Sequence, residues 1–296
     1  MILEIIWNVG PELIEGWKTP NKYGLLFVSG LIIGYFVIKR MFKVEGYPED
    51  KLDKLLMYMV IATIVGARLG HVFFYDWDEY KHDLLSIFKV WEGGLASHGA
   101  AIAILIALWF YSKKVSQKPM LWILDRVAAP ITVAGCFIRL GNLMNSEIVG
   151  KETTSRFGFK FIREYYMNGN QLAQNMNLSS PNEAYAALVS DPRYADLLAQ
   201  VPVKHPTQLY EAITYAIIFS ILMWMFWKTN AKEKSGLIFG VFMIGLWGMR
   251  FLIEFIKEGQ TARDSEYLIN TGQMLSIPLF LIGVFLVLRG LRKVKA

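Results

Sequence analysis

Seven stretches of the chain are apolar almost throughout, at approximately 23–39, 54–75, 95–112, 119–144, 208–227, 235–256 and 273–290. Each is long enough, straight or tilted, to cross roughly 30 Å of hydrocarbon as a helix. Between the fourth and fifth stretches the pattern breaks, and residues 146–204 are polar and mixed. Within them "SPNEAYAALVSD" and "DPRYADLLAQ" predict two short helices opened by Ser or Asp caps. The leading "MILEIIWNVGPELIEGW" predicts a short amphipathic surface helix or an irregular lead-in. It has neither the basic start nor the small-residue cleavage site of a secretory signal peptide. The expected architecture is an all-α polytopic membrane protein. One membrane domain covers 1–296, with residues 146–204 as an arm or cap between helices four and five.

Charge distribution orients this bundle. The short loops "KRMFKVEGYPEDKLDK", "KKVSQKP" and "KTNAKEKS" and the tail "RGLRKVKA" are dense in Lys and Arg, and the alternate loops are longer or less basic. The positive-inside rule makes the dense loops cytoplasmic. Seven spans then put the N-terminus outside, the C-terminus in the cytoplasm and the 146–204 arm outside. The net charge of +6 therefore reflects topology and not nucleic-acid binding. The single cysteine, Cys136, excludes an intramolecular disulfide and a cysteine-based metal cluster, and reads as a packing residue.

The spans nevertheless contain charges. Arginine at mid-bilayer is disfavoured by roughly 2.5–3.5 kcal/mol on translocon-based scales. Yet "TVAGCFIRLGNLMNSE" (132–147) holds Arg139 roughly 8 Å inside the outer end of span four, at 1.5 Å per residue. Arg68 in span two, His98 at the start of span three, Gln208 and Glu211 in span five, and Arg250 and Glu254 in span six fall at a similar depth. Gln273 and Ser276 of span seven join them, while Asp125 and Arg126 lie near the opposite end of span four. Three arginines and a histidine with few carboxylates describe an anion site. The guanidinium fork suits phosphate, and within lipid the available anion is a phospholipid head group. A purely structural network is the alternative, with Arg250 pairing Glu254 one turn away. Asn142 and Asn145 would extend the donor set of Arg139, and Glu147 could orient an arginine. The glycines at 66, 70, 93, 94, 99, 135 and 141 are read mainly as close helix packing.

These segments resemble the prolipoprotein diacylglyceryl transferase family. "GARLGHVFFY" (66–75), "VWEGGLASHGA" (90–100), "IRLGNLMNSEIVG" (138–150), "HPTQLYEA" (205–212), "RFLIEF" (250–255) and "GQMLSIP" (272–278) match family blocks in family order. "YGLLFVSGLIIG" (23–34) is also familiar, and only the 151–204 arm lies outside the resemblance. The resemblance implies transfer of the diacylglyceryl group of phosphatidylglycerol to the thiol of a prolipoprotein lipobox cysteine, without metal or organic cofactor. It implies seven spans in a bacterial inner membrane, with the site toward the outer leaflet. Carried over by position, Tyr23, His98, Asp125, Arg139, Asn142, Glu147, Gly150, Arg250 and Glu254 are the residues expected to matter. We expect His98, Arg139, Arg250 and Glu147 to be catalytic. His98 is the candidate base, Arg139 and Arg250 hold the lipid phosphate, and Glu147 and Glu254 orient the arginines. Tyr23, Arg68, Asn142, Asn145, Gly150 and Glu254 are expected to bind substrate, and Asp125, which is deeper, to be structural. Three positions depart from the family pattern: Lys257 where arginine is usual, Leu246 where tyrosine is frequent, and Ser146 where glycine is more common.

Other readings fit less well. A transporter would be expected to show broken helices or repeated halves, and neither is evident. A rhodopsin-like receptor needs a lysine in the last span, and 273–288 has none. An intramembrane serine protease needs a GxSG-type nucleophile, which is absent. A non-catalytic phospholipid-binding scaffold remains as the principal alternative.

Overall fold

The computed structural model describes residues 5–14, 16, 19–89, 93–259 and 269–292. Both chain ends, which the charge pattern assigns to opposite sides of the membrane, lie outside the described residues. So do Val90, Trp91 and Glu92.

Among the described residues seven helices are long and apolar enough to cross a bilayer. They comprise α1 (Lys22–Val44), α2 (Glu49–Phe74), α3 (Ser97–Tyr111) and α4 (Met120–Met144). Beyond the intervening segment follow α8 (Thr207–Lys228), α9 (Leu237–Ile253) and α10 (Thr271–Arg292). Helix α3 continues as a π-helical turn over Ser112–Ser116 and stops at Gln117, where φ is +55°. Large apolar side chains stay uncovered along these helices, with Phe36 61%, Met57 62%, Trp224 60% and Phe285 63% exposed. Such faces are stable only against hydrocarbon or a partner, so the bilayer supplies the missing half of the apolar contacts.

Among the described residues the segment after α4 builds several short helices, including α5 (Gly169–Asn175), α6 (Pro181–Ser190) and α7 (Ala195–Gln200). Ser180 caps α6 by accepting from the Glu183 amide, and Asp191 accepts from the Arg193 amide at the turn leading into α7. The capping signals in the sequence therefore mark real helix starts. Leu172, Ala173, Met176, Ala184, Tyr185 and Leu188 close a small core of their own.

The N-terminal segment differs from both expectations. Ile5–Trp7 is neither a surface helix nor irregular, but strand β1. It pairs in parallel with β2 (Phe159–Phe161), which pairs antiparallel with β3 (Val203–Lys204). The backbone donors of "IIW" find partners about 150 residues away, which no local periodicity announces. Trp7 Nε1 donates to the Leu143 carbonyl at 3.0 Å, tying this sheet to the end of α4.

Contacts divide the chain into two compact units, residues 1–35 with 128–296, and residues 36–127. In the second unit α2 and α3 touch backbone to backbone. A Cβ on Gly70 would lie 2.6 Å from the Gly99 Cα, and one on Gly66 2.7 Å from the Gly99 carbonyl oxygen. Small residues at one-turn spacing allow this approach. In the same unit Arg126 forms a two-point ion pair with Glu45 and lies 4.1 Å from the Trp122 ring centroid.

Candidate functional site

The last turn of α4 and the chain leaving it form the centre of the first unit. Arg139 Nε lies 2.8 Å from Glu211 Oε2 on the first turns of α8, and Glu211 is 3% exposed. The contact is an ion pair without hydrogen-bond alignment at that oxygen. The other oxygen of the same carboxylate lies 3.5 Å from Nζ of buried Lys257. Glu211 therefore sits between two cations. The Tyr215 ring rests on Gly135, and its phenol is within electrostatic reach of Arg139, Glu211 and Arg250.

A polar relay continues outward. Arg139 Nη1 donates to Asn142 Oδ1 at 3.3 Å, and Asn142 Nδ2 donates to Glu147 Oε1 at 2.7 Å. Asn145 Nδ2 donates to the same oxygen at 3.3 Å. Among the described residues Glu147 thus reaches Arg139 through Asn142, and the carboxylate that directly holds the arginine is Glu211. Tyr23 packs against Gly141, where a Cβ would lie 2.8 Å from its ring.

The backbone around Glu147 is strained. Ser146 and Ile148 have φ of +54° and +61°, a region that L side chains avoid, β-branched ones most of all. The strain is held by the start of α8. Thr207 Oγ1 donates to the Ile148 carbonyl at 2.8 Å, and Gln208 Nε2 donates to the Glu147 carbonyl at 2.6 Å. Both side chains are fully buried. Two left-handed residues flanking Glu147 turn its carboxylate back toward Asn142 and Asn145. Gly150 then passes between two other segments. A Cβ there would lie 2.7 Å from His205, from Thr207 and from the Ile256 carbonyl oxygen. Its geometry gives it a packing role, since only hydrogen fits at the crossing.

Helix α9 brings Arg250 and Glu254. No Arg250–Glu254 ion pair within 4.0 Å exists among the described residues, so the one-turn pair of the purely structural alternative is not formed. Arg250 stands 5.7 Å from the Trp247 ring centroid. Among the described residues eight buried side-chain polar atoms lack a hydrogen-bond partner. Seven belong to Asn145, Ser146, Gln208, Glu211, Trp247, Arg250 and Glu254. Folded proteins leave few such atoms, and a cluster of them marks a place where a polar ligand meets ready donors and acceptors. Arg250 Nε offers a donor, while Glu254 Oε2, Gln208 Oε1 and Asn145 Oδ1 offer acceptors. No cluster of three or more metal-binding side chains exists among the described residues.

Arg68, His98 and Asp125 belong to the second unit. Arg68 is buried and spends its guanidinium on backbone carbonyls, those of Ile87 at 2.9 Å, Gly93 at 2.6 Å and Ser86 at 2.7 Å. Arg68, expected to bind substrate, is placed here as a clasp on the segment between α2 and α3. His98 stands in the first turn of α3, exposed and without a hydrogen-bond partner among the described residues. Asp125 is fully buried 3.9 Å from Arg126 Nη1.

The sequence marks Glu211 as a carboxylate within a span but suggests no role for it, and shows Lys257 only as a departure from the family pattern. The signal was present in "HPTQLYE", where a carboxylate one turn into a span demands a cation. Which cation it meets is a tertiary fact.

The model of the prolipoprotein diacylglyceryl transferase family matches residues 14–289. A relative from Porphyromonas gingivalis, named phosphatidylglycerol–prolipoprotein diacylglyceryl transferase, is 42% identical across 97% of this chain and 95% of its own. Relatives of the same name from Tolumonas auensis and Chloroherpeton thalassium are 38% and 36% identical. The first covers 96% of each chain, and the second 98% of this chain and 95% of its own. A family match over nearly the whole length, with relatives this close, leaves one assignment: the chain belongs to the prolipoprotein diacylglyceryl transferase family.

Proposed function

We propose that this protein transfers the diacylglyceryl group of phosphatidylglycerol to the thiol of a prolipoprotein lipobox cysteine. The sulfur forms a bond to the terminal glycerol carbon of the diacylglyceryl group. The bond from that carbon to the phosphate oxygen breaks, its electron pair stays on the phosphate, and glycerol phosphate leaves. The thiol proton passes to a base. His98 takes this role by the family resemblance, as an exposed imidazole without a hydrogen-bond partner among the described residues. Since the thiolate is the nucleophile, removing that proton is a requirement of the reaction.

The observation that carries the reading is the guanidinium of Arg250, whose buried Nε has no partner, in the neighbourhood of the Arg139–Glu211 pair. Fixed guanidinium groups stabilise the charge gathering on a departing phosphate without reorganising. Glu254 Oε2 and Gln208 Oε1 supply acceptors, which hydroxyls of the glycerol head group would satisfy. No metal or organic cofactor enters this scheme. By the family resemblance we place the protein in a bacterial inner membrane, and on the strength of the basic-loop pattern we put residues 146–204 outside and the site toward the outer leaflet.

The test uses purified protein, phosphatidylglycerol and a lipobox peptide, with released glycerol phosphate as the readout. Thiol-dependent release that Arg139→Ala abolishes supports the transfer. Activity that survives in His98→Ala removes the base assignment and leaves the reaction standing. Folded wild-type protein that binds lipid without releasing glycerol phosphate favours the non-catalytic scaffold.

A further inference from the structure

The chain between α2 and α3 turns back along α2. Residues 55–74 of α2 contain no acidic side chain and only Arg68 and His71 as bases. At 1.5 Å per residue this stretch matches roughly 30 Å of hydrocarbon. Arg68 stands six residues before Phe74, the last of α2, and therefore roughly 9 Å inside that end. A helical side chain leans toward the N-terminus of its own helix, so the guanidinium lies no nearer the end than that. Backbone carbonyls nonetheless reach it, those of Ser86 at 2.7 Å, Ile87 at 2.9 Å and Gly93 at 2.6 Å. A further tie fixes the same level, since the Ala96 amide donates to the Ala67 carbonyl at 2.9 Å.

The 3-10 turn Leu84–Phe88 is the part drawn back. Its polar backbone finds partners within the protein. Arg68 takes the carbonyls of Ser86 and Ile87, Asp83 Oδ1 accepts from the Leu85 amide at 3.2 Å, and the Lys89 amide donates to the Ser86 carbonyl at 3.1 Å. Its apolar side chains are left uncovered. Leu85 is 76% and Phe88 75% exposed, and Leu84 is more than half exposed. Phe73 and Phe74 are also more than half exposed, so the turn is pinned to a helix whose end already faces lipid.

We propose that Leu84–Phe88 is a re-entrant wedge in the hydrocarbon of the leaflet at the His98 end of α3. Leu84, Leu85 and Phe88 lie among acyl chains, and Arg68 is the pin that stands in for water on the carbonyls. Depth selects this partner, because hydrocarbon is what surrounds α2 at the level of Arg68. The backbone agrees, since non-helical chain survives there only where its polar groups are satisfied within the protein. In a loop bathed by water the guanidinium would be redundant, and the three large apolar side chains would have nothing to cover them. The same pin accounts for an arginine buried inside a span. This surface depends on the membrane embedding and not on the transfer reading.

The experiment measures depth in liposomes of phosphatidylglycerol and phosphatidylcholine. Cys136→Ala removes the native thiol, and Leu85→Cys, Phe88→Cys, Asp78→Cys and Phe285→Cys each carry a bimane label in that background. Quenching is read with iodide in the water and with lipids brominated on their acyl chains. Exposed Phe285 of α10 is the lipid reference, and exposed Asp78 the aqueous one. The labels at 85 and 88 are expected to follow Phe285→Cys, quenched by brominated chains and about fivefold less by iodide than the label at 78. Lysine cannot hold three carbonyls, so Arg68→Lys is expected to raise iodide quenching at 85 about twofold or more. Iodide quenching at 85 and 88 equal to that at 78 overturns the wedge. Protection from both quenchers overturns it too, because protein would then cover the turn. Unchanged quenching in folded Arg68→Lys overturns the pin. No turnover is needed, so these outcomes are separate from whether phosphatidylglycerol is consumed.

Discussion

Arg139 and Lys257 are bridged by one carboxylate, that of Glu211, at 2.8 Å and 3.5 Å. All three lie in the first unit, on or beside three different helices that sequence separates by up to 118 residues. Breaking a buried ion pair by removing one partner typically destabilises by about 3–5 kcal/mol, because the other charge is left uncompensated. Glu211→Gln keeps the shape and removes the charge. We expect its thermal midpoint in detergent to fall and kcat to drop about a hundredfold, roughly 2.7 kcal/mol in barrier. Glu211→Asp should recover part of both. Full activity in Glu211→Gln would show that Arg139 needs no carboxylate to hold it.

Ser146 occupies a φ of +54° with its hydroxyl buried and unpartnered. Glycine adopts that backbone without a Cβ clash and removes the orphaned hydroxyl. Ser146→Gly is therefore expected to stabilise the protein by about 1 kcal/mol, while Ser146→Val should destabilise it. Thermal unfolding of the two variants beside wild type decides this, and a destabilised glycine variant would refute the strain argument.

Arg68 offers its donors to three carbonyls of the segment between α2 and α3. Lysine has the charge but not the planar fork, so it cannot hold all three. Arg68→Lys should leave the KM for phosphatidylglycerol unchanged and speed proteolysis within residues 84–94. A raised lipid KM with unchanged proteolysis would return Arg68 to the substrate-binding residues.

His205 precedes α8, with its Nδ1 3.3 Å from the Tyr210 hydroxyl, and burial holds its imidazole below the ordinary value near 6.5. The unfolded chain then binds a proton that the folded chain resists. The stability this group contributes is fully present above pH 6.5 and is lost as pH falls below it toward the folded value. The thermal midpoint of wild type should decline between about pH 6.5 and 5 more steeply than that of His205→Gln. Parallel declines would remove His205 as the titrating group.

The apolar stretches made the spans legible. The predicted segment 119–144 is α4 to within a residue, and 208–227 falls inside α8, because a bilayer demands a continuous apolar run that a short window detects. The caps of α6 and the turn before α7 were equally legible, since Ser180 and Asp191 act on amides two or three residues away.

Pairing was a different matter. Nothing within "EIIW" says that it joins a strand at 159–161, nor does anything near Arg139 name Glu211 over Glu147 as its counter-charge. Arg68 and Arg139 look alike in sequence, each followed by Leu and Gly, yet one binds loop carbonyls and the other a buried carboxylate. Ser146 stands out in sequence only as a position where glycine is more common in the family, and the reason, a φ of +54°, shows only in the fold. By itself the sequence determined what burial and membrane insertion impose locally: the number of spans and their approximate boundaries. Only the tertiary structure decided which charge meets which, because an ion pair depends on helix rotation and packing, and those are settled between segments far apart in the chain.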